Sequence, residues 1–243
     1  MHSVAAITLT NTGYVQYTLN CLKSIKNTGE KLKVQCYCIG GEGAKILESE
    51  GYSCTQIGGD EDESKFQIFR SGKWSNVVFH KFEIIHLNLL THDYVLITDG
   101  DIVYERKGIV DYLLENIAGN DVLCQSDTMD DRDSTQLCSG FMFIRKTPDT
   151  IRLFHPSNVE PFKDIIGWGD QTYVNKISTE LNVKRLPLDL FPNGKYYFKH
   201  HETIRPYMIH FNWLTGNEKI ASMKKYGKWC ITSLRRRRIV IIV

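Results

Sequence analysis

The sequence predicts an α/β fold built around a mostly parallel sheet, and three observations carry that prediction. Apolar, β-prone runs at residues 4–10, 32–39, 52–57 and 94–98 alternate with stretches whose apolar residues recur at helical spacing. Strand-then-helix order repeated in this way implies parallel strands joined by right-handed crossovers. The run 94–98 passes directly into Asp99-Gly100-Asp101, and carboxylates at the carboxyl end of a central strand lie where open α/β sheets bind ligands. The third observation is size: 243 residues, 42% of them hydrophobic, can bury one substantial core. We expect one domain over residues 1–229 and a basic, apolar tail over 230–243.

Charge and cysteines narrow the class. The net charge is +2, and Arg235 to Arg238 alone exceed it, so the body of the chain is slightly acidic. A general nucleic-acid binder would instead spread basic residues over a face. The seven cysteines (Cys21, Cys36, Cys38, Cys54, Cys124, Cys138 and Cys230) lie mostly among apolar neighbours and form no CxxC pair. They read as reduced, buried thiols of a cytosolic protein. No charged lead or apolar h-region opens the chain, and no apolar run reaches membrane-spanning length. The expectation is a cytoplasmic protein without a transmembrane segment.

The first strand is broken by Asn11-Thr12-Gly13 before an amphipathic helix over 14–25. Gly40 to Gly43 follows the second strand; lacking the Lys-Ser/Thr of a P-loop and the spacing of a dinucleotide fingerprint, it is a turn. Asp60 to Glu63 reads as a solvated acidic loop with no metal role. Ser75 is a candidate N-cap for a helix over 76–90, where Val78, Phe82, Ile85 and Leu89 recur at helical spacing. Lys81 on that helix is either a surface lysine or an amine able to reach a phosphate at the sheet's edge. Asp99-Gly100-Asp101 is either a solvated turn or a pair of carboxylates sharing a hard divalent cation, with Gly100 allowing a close approach.

A helix over 108–117 and a strand over 121–125 lead into the acidic loop 126–134, a solvated connection or, by preference, a mobile substrate lid. In strand 137–144, Cys138-Ser139-Gly140 places small residues inside an apolar run, as where a backbone must approach something closely. Thr147 caps a helix that has Pro148 at its first position. Gly167-Trp168-Gly169-Asp170-Gln171 precedes a helix over 172–181; Asp170 is its cap or, with Gln171, a polar pair presented to a sugar beneath the indole. The last strand, 207–211, carries His210, a satisfied core histidine or a metal ligand, ahead of Gly216 and Lys219. The end of the chain joins four arginines to apolar residues; it could lie weakly on anionic lipid, or be an unstructured end or an expression remnant.

Taken in order, strand-Asp99-Gly100-Asp101, the helix with Lys81, Ser139-Gly140-Phe141, Asp170-Gln171, and His210 with Gly216 and Lys219 resemble a family. The resemblance is to nucleotide-diphospho-sugar transferases, metal-dependent DxD glycosyltransferases of the GT-A fold, and covers residues 4–226. These sequences are similar to galactosyltransferases that decorate bacterial lipooligosaccharide and to small glycosyltransferases of large algal viruses. The resemblance implies a Rossmann-like three-layer sandwich. It also implies transfer of a hexose, glucose or galactose, from a UDP-sugar to a glycan, glycoprotein or other hydroxyl acceptor, with retention of anomeric configuration.

The family's roles fall on matching positions. Asp101, Asp99 and His210 would hold Mn²⁺, with Mg²⁺ as the alternative, and Asp99 would also contact ribose. Thr8, Thr10, Asn11 and Tyr14 would hold uracil and ribose. Lys81 and Lys219, beside Gly216, would neutralise the diphosphate. Ser139 and Gly140 would line the donor-sugar site, and Asp170 with Gln171 would contact sugar hydroxyls and the reacting centre. The chain departs from the bacterial members in a longer loop between His210 and Gly216 and in Cys138-Ser139, which replaces an Asn-containing pattern.

The chemistry agrees with those roles, because breaking a sugar–phosphate bond builds negative charge on the diphosphate, which a cation and two lysines would stabilise. Two rivals share parts of the pattern. Nucleotidyltransferases and sugar-nucleotide pyrophosphorylases open with a Gly-rich basic loop, whereas residues 10–13 contain no Lys or Arg. A non-catalytic carbohydrate-binding protein would keep aromatics such as Trp168 and Trp213 without needing the acidic cluster.

Overall fold

The computed structural model describes residues 2–70, 73–133 and 135–231. Its elements are β1 (Val4–Asn11), α1 (Val15–Thr28), β2 (Val34–Ile39), α2 (Gly41–Ser49), β3 (Cys54–Ile57), α3 (Trp74–Thr91), β4 (Tyr94–Thr98), β5 (Ile102–Tyr104) and α4 (Ile109–Asn116). They continue with β6 (Val122–Ser126), β7 (Leu137–Arg145), α5 (Pro148–Leu153), α6 (Pro156–Val159), α7 (Asp170–Ile177), β8 (Val183–Arg185), α8 (Gly194–His200), β9 (Met208–His210) and α9 (Gly216–Lys225).

Seven strands form a mostly parallel sheet in the order β3-β2-β1-β4-β7-β6-β8. Helices cover both faces, which is why the central strands are apolar on both sides. α1, α2 and α4 pack Leu19, Leu22, Leu47, Ile109 and Leu113 against Leu96, Leu123, Phe141 and Phe143. On the other face α3, α5, α6 and α7 pack Phe82, Ile85, Leu153, Val159 and Tyr173 against Ile7, Val95, Ile97 and Met142. β7 departs from the parallel pattern and runs antiparallel to both β4 and β6. Among the described residues no helix lies between β6 and β7, and a parallel neighbour would need a longer crossover than this connection of about ten residues.

Several local expectations change. The α3 N-cap is Lys73, not Ser75; the Ser75 hydroxyl donates instead to the carbonyls of Trp168 (3.2 Å) and Lys163 (3.4 Å), tying α3 to the segment ahead of α7. Val77, Phe79 and Ile84 are buried beside the expected stripe, because α5, α6 and α7 all pack on this helix. The acidic stretch 60–63 is not uniformly solvated. Glu63 is buried, accepts from Asn76 Nδ2 (3.1 Å) and faces His80 Nε2 (3.5 Å), while Asp60 pairs with Lys73 (3.1 Å). Thr147 caps α5 as expected, its hydroxyl accepting from the Thr150 amide (3.2 Å).

The strand around His210 joins no strand of the main sheet. β9 pairs antiparallel with β5, setting His210 opposite Ile102 just after the Asp-Gly-Asp turn. A third cluster of Tyr17, Val103, Tyr197, Ile209, Phe211 and Met223 docks α8 and α9 onto this pair. Packing continues past residue 229: the Cys230 amide donates to Asn20 Oδ1 (2.6 Å), and Ile231 is buried. The arginine-rich end, for which a weak lipid contact was one of the readings, lies outside the described residues, as does Ser134. Among the described residues, no helix is long and apolar enough to cross a membrane.

Gly100 has a structural reason. A Cβ there would collide with the Thr18 hydroxyl and lie 3.2 Å from the Thr18 amide nitrogen, because α1 crosses directly against the Asp-Gly-Asp turn. Gly100→Ala should therefore cost about 1–3 kcal/mol through overpacking, read as a lower urea midpoint. Thr18→Ala should recover part of that loss in the double variant, and wild-type stability in Gly100→Ala would refute the close approach.

Candidate active site

The carboxyl ends of β1 and β4 and the amino end of the antiparallel β7 open into a cleft of about 820 Å³. The Asp-Gly-Asp turn forms its floor and is fixed from two sides. The Asp99 amide donates to the Gly140 carbonyl of β7 (2.8 Å), and the Asp101 carbonyl accepts from the Phe211 amide at the end of β9 (3.1 Å). This brings ligand atoms of Asp99, Asp101 and His210 within 4.8 Å of one another.

The donor chemistry of this trio fits a divalent cation. Gln125 donates its amide to the carbonyls of Phe191 (3.1 Å) and Pro192 (3.0 Å), which turns its Oε1 toward His210 Nδ1 at 2.9 Å. Nδ1 therefore carries the proton, and the Nε2 lone pair faces Asp101 Oδ1 at 3.2 Å. Two acceptors aimed at each other in a buried site are stabilised only by a proton or a cation between them. Two carboxylates and one imidazole suit Mn²⁺, and they also accept Mg²⁺. Gly140 makes the arrangement possible, since a Cβ there would collide with His210 Cε1 and sit 2.7 Å from Asp99 Oδ2.

Two lysines flank the trio. Lys81, 3% exposed and so no surface lysine, bridges Asp99 Oδ1 (2.9 Å) and Asp170 Oδ2 and donates to the Ser139 carbonyl (3.3 Å). Burial would lower its ammonium pKa, but Asp170 and Asp99 outweigh that and push it up. Lys219 reaches Asp101 Oδ2 and the Tyr14 hydroxyl (2.9 Å). Burial opposes charge on Asp101, yet the Lys219 ammonium holds its carboxyl well below the usual range. Three carboxylates thus face two ammonium groups, leaving the site poised for added positive charge.

Asp170 begins α7 but does not cap it, because its carboxylate is spent on Lys81 and the Ser139 hydroxyl (2.8 Å). Gln171 donates Nε2 to Asp127 Oδ2 (2.9 Å), leaving its Oε1 for the cleft. Trp168 does not face the cleft with this pair but stacks on Phe162 (5.0 Å), and the indole that lies against Gly169, just ahead of the pair, is Trp74.

Thr10, Asn11, Tyr14, Lys81, Asp99, Ser139, Gly140, Asp170, Gln171, His210, Gly216 and Lys219 all line the cleft. Thr8 does not; it lies two residues deeper in β1, 1% exposed, whereas the cleft reaches only the strand's carboxyl end. Asn11 shapes the wall with its backbone neighbours: its amide donates to Glu63 O (2.9 Å) and Lys65 O (2.6 Å), and its Oδ1 accepts from the Tyr14 amide (2.9 Å).

The sequence reading missed Asp127, Asn212, Trp74 and the role of Trp213. Asp127 Oδ1 accepts from Asn212 Nδ2 (2.9 Å) and Trp213 Nε1 (3.0 Å), while Oδ2 takes Gln171. Its position at the carboxyl end of β6 was a usable signal. The loop it opens is not a free lid: Asn193 Nδ2 donates to the Ser126 and Thr128 carbonyls (3.2 and 2.7 Å), and Asp131 accepts from the Leu188 amide (2.9 Å). Trp213 is 52% exposed, has φ of 67° and carries Lys195 Nζ 3.7 Å from its ring centroid. A bulky residue in that left-handed conformation costs on the order of 1–3 kcal/mol.

The sequence model of the nucleotide-diphospho-sugar transferases matches residues 42–223. The chain belongs to this family. A UDP-galactose:fucoside alpha-3-galactosyltransferase of Dictyostelium discoideum is 23% identical over 281 residues, covering 93% of this chain and 43% of that protein. The chain therefore spans less than half the length of this curated relative.

Among solved structures, the galactosyltransferase LgtC in complex with donor and acceptor sugar analogues superposes with a TM-score of 0.65 at 12% identity, covering 95% of this chain and 98% of LgtC. A glycosyltransferase involved in glycosylating the major capsid of PBCV-1 gives a TM-score of 0.55 at 12% identity, covering 91% and 99%. These likenesses identify the GT-A fold. Family membership sets aside the nucleotidyltransferase and pyrophosphorylase readings.

Because this nucleotide-diphospho-sugar transferase relies on Gly140 for the spacing of the trio, Gly140→Ala should displace the His210 ring. Isothermal titration should then show Mn²⁺ affinity at least tenfold weaker than wild type. An unchanged affinity would separate Gly140 from the cation site.

Proposed function

We propose that the chain is a metal-dependent hexosyltransferase that moves a sugar, galactose or glucose, from a UDP-sugar to a glycan hydroxyl. The observation that carries this reading is the Asp99–Asp101–His210 cluster, with the imidazole lone pair turned inward by Gln125. A divalent cation held there would supply charge stabilisation to a departing diphosphate. Thr10 and Tyr14 would form the nucleoside end of the cleft, and Lys219, with Lys81 behind Asp99, would place ammonium groups beside the phosphates. The UDP-galactose in the name of the Dictyostelium relative favours uridine and galactose.

Retention of anomeric configuration is part of the proposal. Asp170 is 5% exposed and neutralised by Lys81, which makes it a poor general base for a distant acceptor. Gln171 turns an amide oxygen toward the cleft, suited to a carbon gaining positive character and unsuited to removing a proton. Ser139 and Gly140 would lie under the donor sugar.

Two measurements test the proposal. UDP with Mn²⁺ should raise the melting temperature, whereas GDP and dTDP should not; Asp101→Ala should fold and lose the effect. Greater stabilisation by GDP would overturn the uridine assignment. Proton NMR of the transferred sugar should show an α-anomeric signal from an α-linked donor. An inverted product, with transfer but not donor binding lost in Asp170→Asn, would instead make Asp170 the base.

A further inference from the structure

Trp213 combines features that a merely structural residue would not need. It is a large aromatic side chain, half exposed, at the rim of the cleft, and its backbone sits at φ of 67°, where glycine is favoured. Burial does not repay that strain, because the ring is among the large apolar side chains left in water. Instead the indole is immobilised in place. Nε1 donates to Asp127 Oδ1 at 3.0 Å, and the Lys195 ammonium covers the ring at 3.7 Å from its centroid.

The same carboxylate that fixes the indole also fixes Gln171. Asp127 Oδ1 takes Trp213 and Asn212, and Oδ2 takes the Gln171 amide at 2.9 Å. The Asn212 carboxamide oxygen in turn accepts from the Gly194 amide at 2.8 Å, next to Lys195 at the start of α8. Indole, carboxylate and glutamine therefore form one hydrogen-bonded unit running from the rim to the floor of the cleft.

We propose that Trp213 is the platform on which the acceptor's sugar ring lies, and that Asp127 couples that platform to the orientation of Gln171. The proposal rests on the glycosyltransferase reading of the cleft and adds where and how the acceptor is held: the terminal sugar ring of the glycan lies by its apolar C–H face on Trp213. A rigid exposed aromatic ring gives contact area to such a face at small entropic cost. Trp213 is a positioning residue here, since it touches the acceptor away from the reacting atoms.

The test uses the full chain labelled with ¹⁵N on tryptophan, with the Trp213 indole signal assigned from Trp213→Phe. Methyl α-fucoside and methyl β-galactoside are added in the presence of UDP and Mn²⁺, with glycerol as the control polyol. One glycoside or both should shift the Trp213 signal, and glycerol should not. Trp213→Gly, whose backbone suits this φ, should keep the melting temperature and the gain from UDP with Mn²⁺ while glycoside binding weakens at least tenfold. In transfer assays, Trp213→Phe should keep the acceptor KM within about threefold, because the ring remains, while kcat falls through loss of the bond to Asp127. A melting-temperature gain from UDP with Mn²⁺, together with no glycoside-dependent indole shift, overturns the platform and leaves the donor reading standing. A glycoside shift without that gain supports the platform and overturns the donor reading; neither response overturns both.

Discussion

Two carboxylates separated by a single glycine at the end of a strand, one of them buried, need positive charge to answer them, and that constraint organises this molecule. Asp101 is 4% exposed and is met by Lys219 and His210; Asp99 is met by Lys81. Each partner arrives on a different element, α9, β9 and α3, so the main chain must bring three distant segments to one strand end. The cost of desolvating so many charges is offset only by their mutual pairing. The fold accordingly gives each carboxylate a lysine, and the Asp101 Oδ1–His210 Nε2 contact alone in this set is left to a proton or a cation.

β7 is what makes the geometry close. A parallel strand beside β4 would run the same way as β4, whereas the antiparallel β7 turns its own early residues, Cys138 to Gly140, toward the carboxylates. Gly140 then leaves room for the imidazole, and the Ser139 hydroxyl and carbonyl serve Asp170 and Lys81. Small residues there are a steric requirement of the site and not a weakness of the strand.

Much of this was legible in the sequence, for identifiable reasons. The strand-then-helix rhythm and the Asp-Gly-Asp at a strand end are local patterns, and local patterns survive translation into structure. The close approach at Cys138-Ser139-Gly140 was foreseen from residue size, though not its object. What escaped depends on contacts between segments far apart in the chain. Nothing near Gln125 in sequence shows that it orients an imidazole on β9, and nothing around Trp213 marks a left-handed backbone. Thr8 was placed in the nucleoside site by the family resemblance, but it lies two residues deeper in β1 than Thr10, beyond the reach of the cleft. Asp170 looked like a helix cap because that is the common use of aspartate at such a position, and a lysine from α3 claimed it instead.

The pairing of β9 with β5, outside the main sheet, bears on which parts of the fold the cation site depends on. Lys219 lies 118 residues from Asp101, and the two meet only because β9 and α9 dock on the pair that β9 forms with β5. A chain whose seven-stranded sheet is complete but whose β9 and α9 are undocked would expose Asp99 and Asp101 to water without their imidazole or Lys219. The cation site is thus a property of the docked fold: separating β9 and α9 from the sheet would remove the imidazole and Lys219 while leaving the carboxylates where they are.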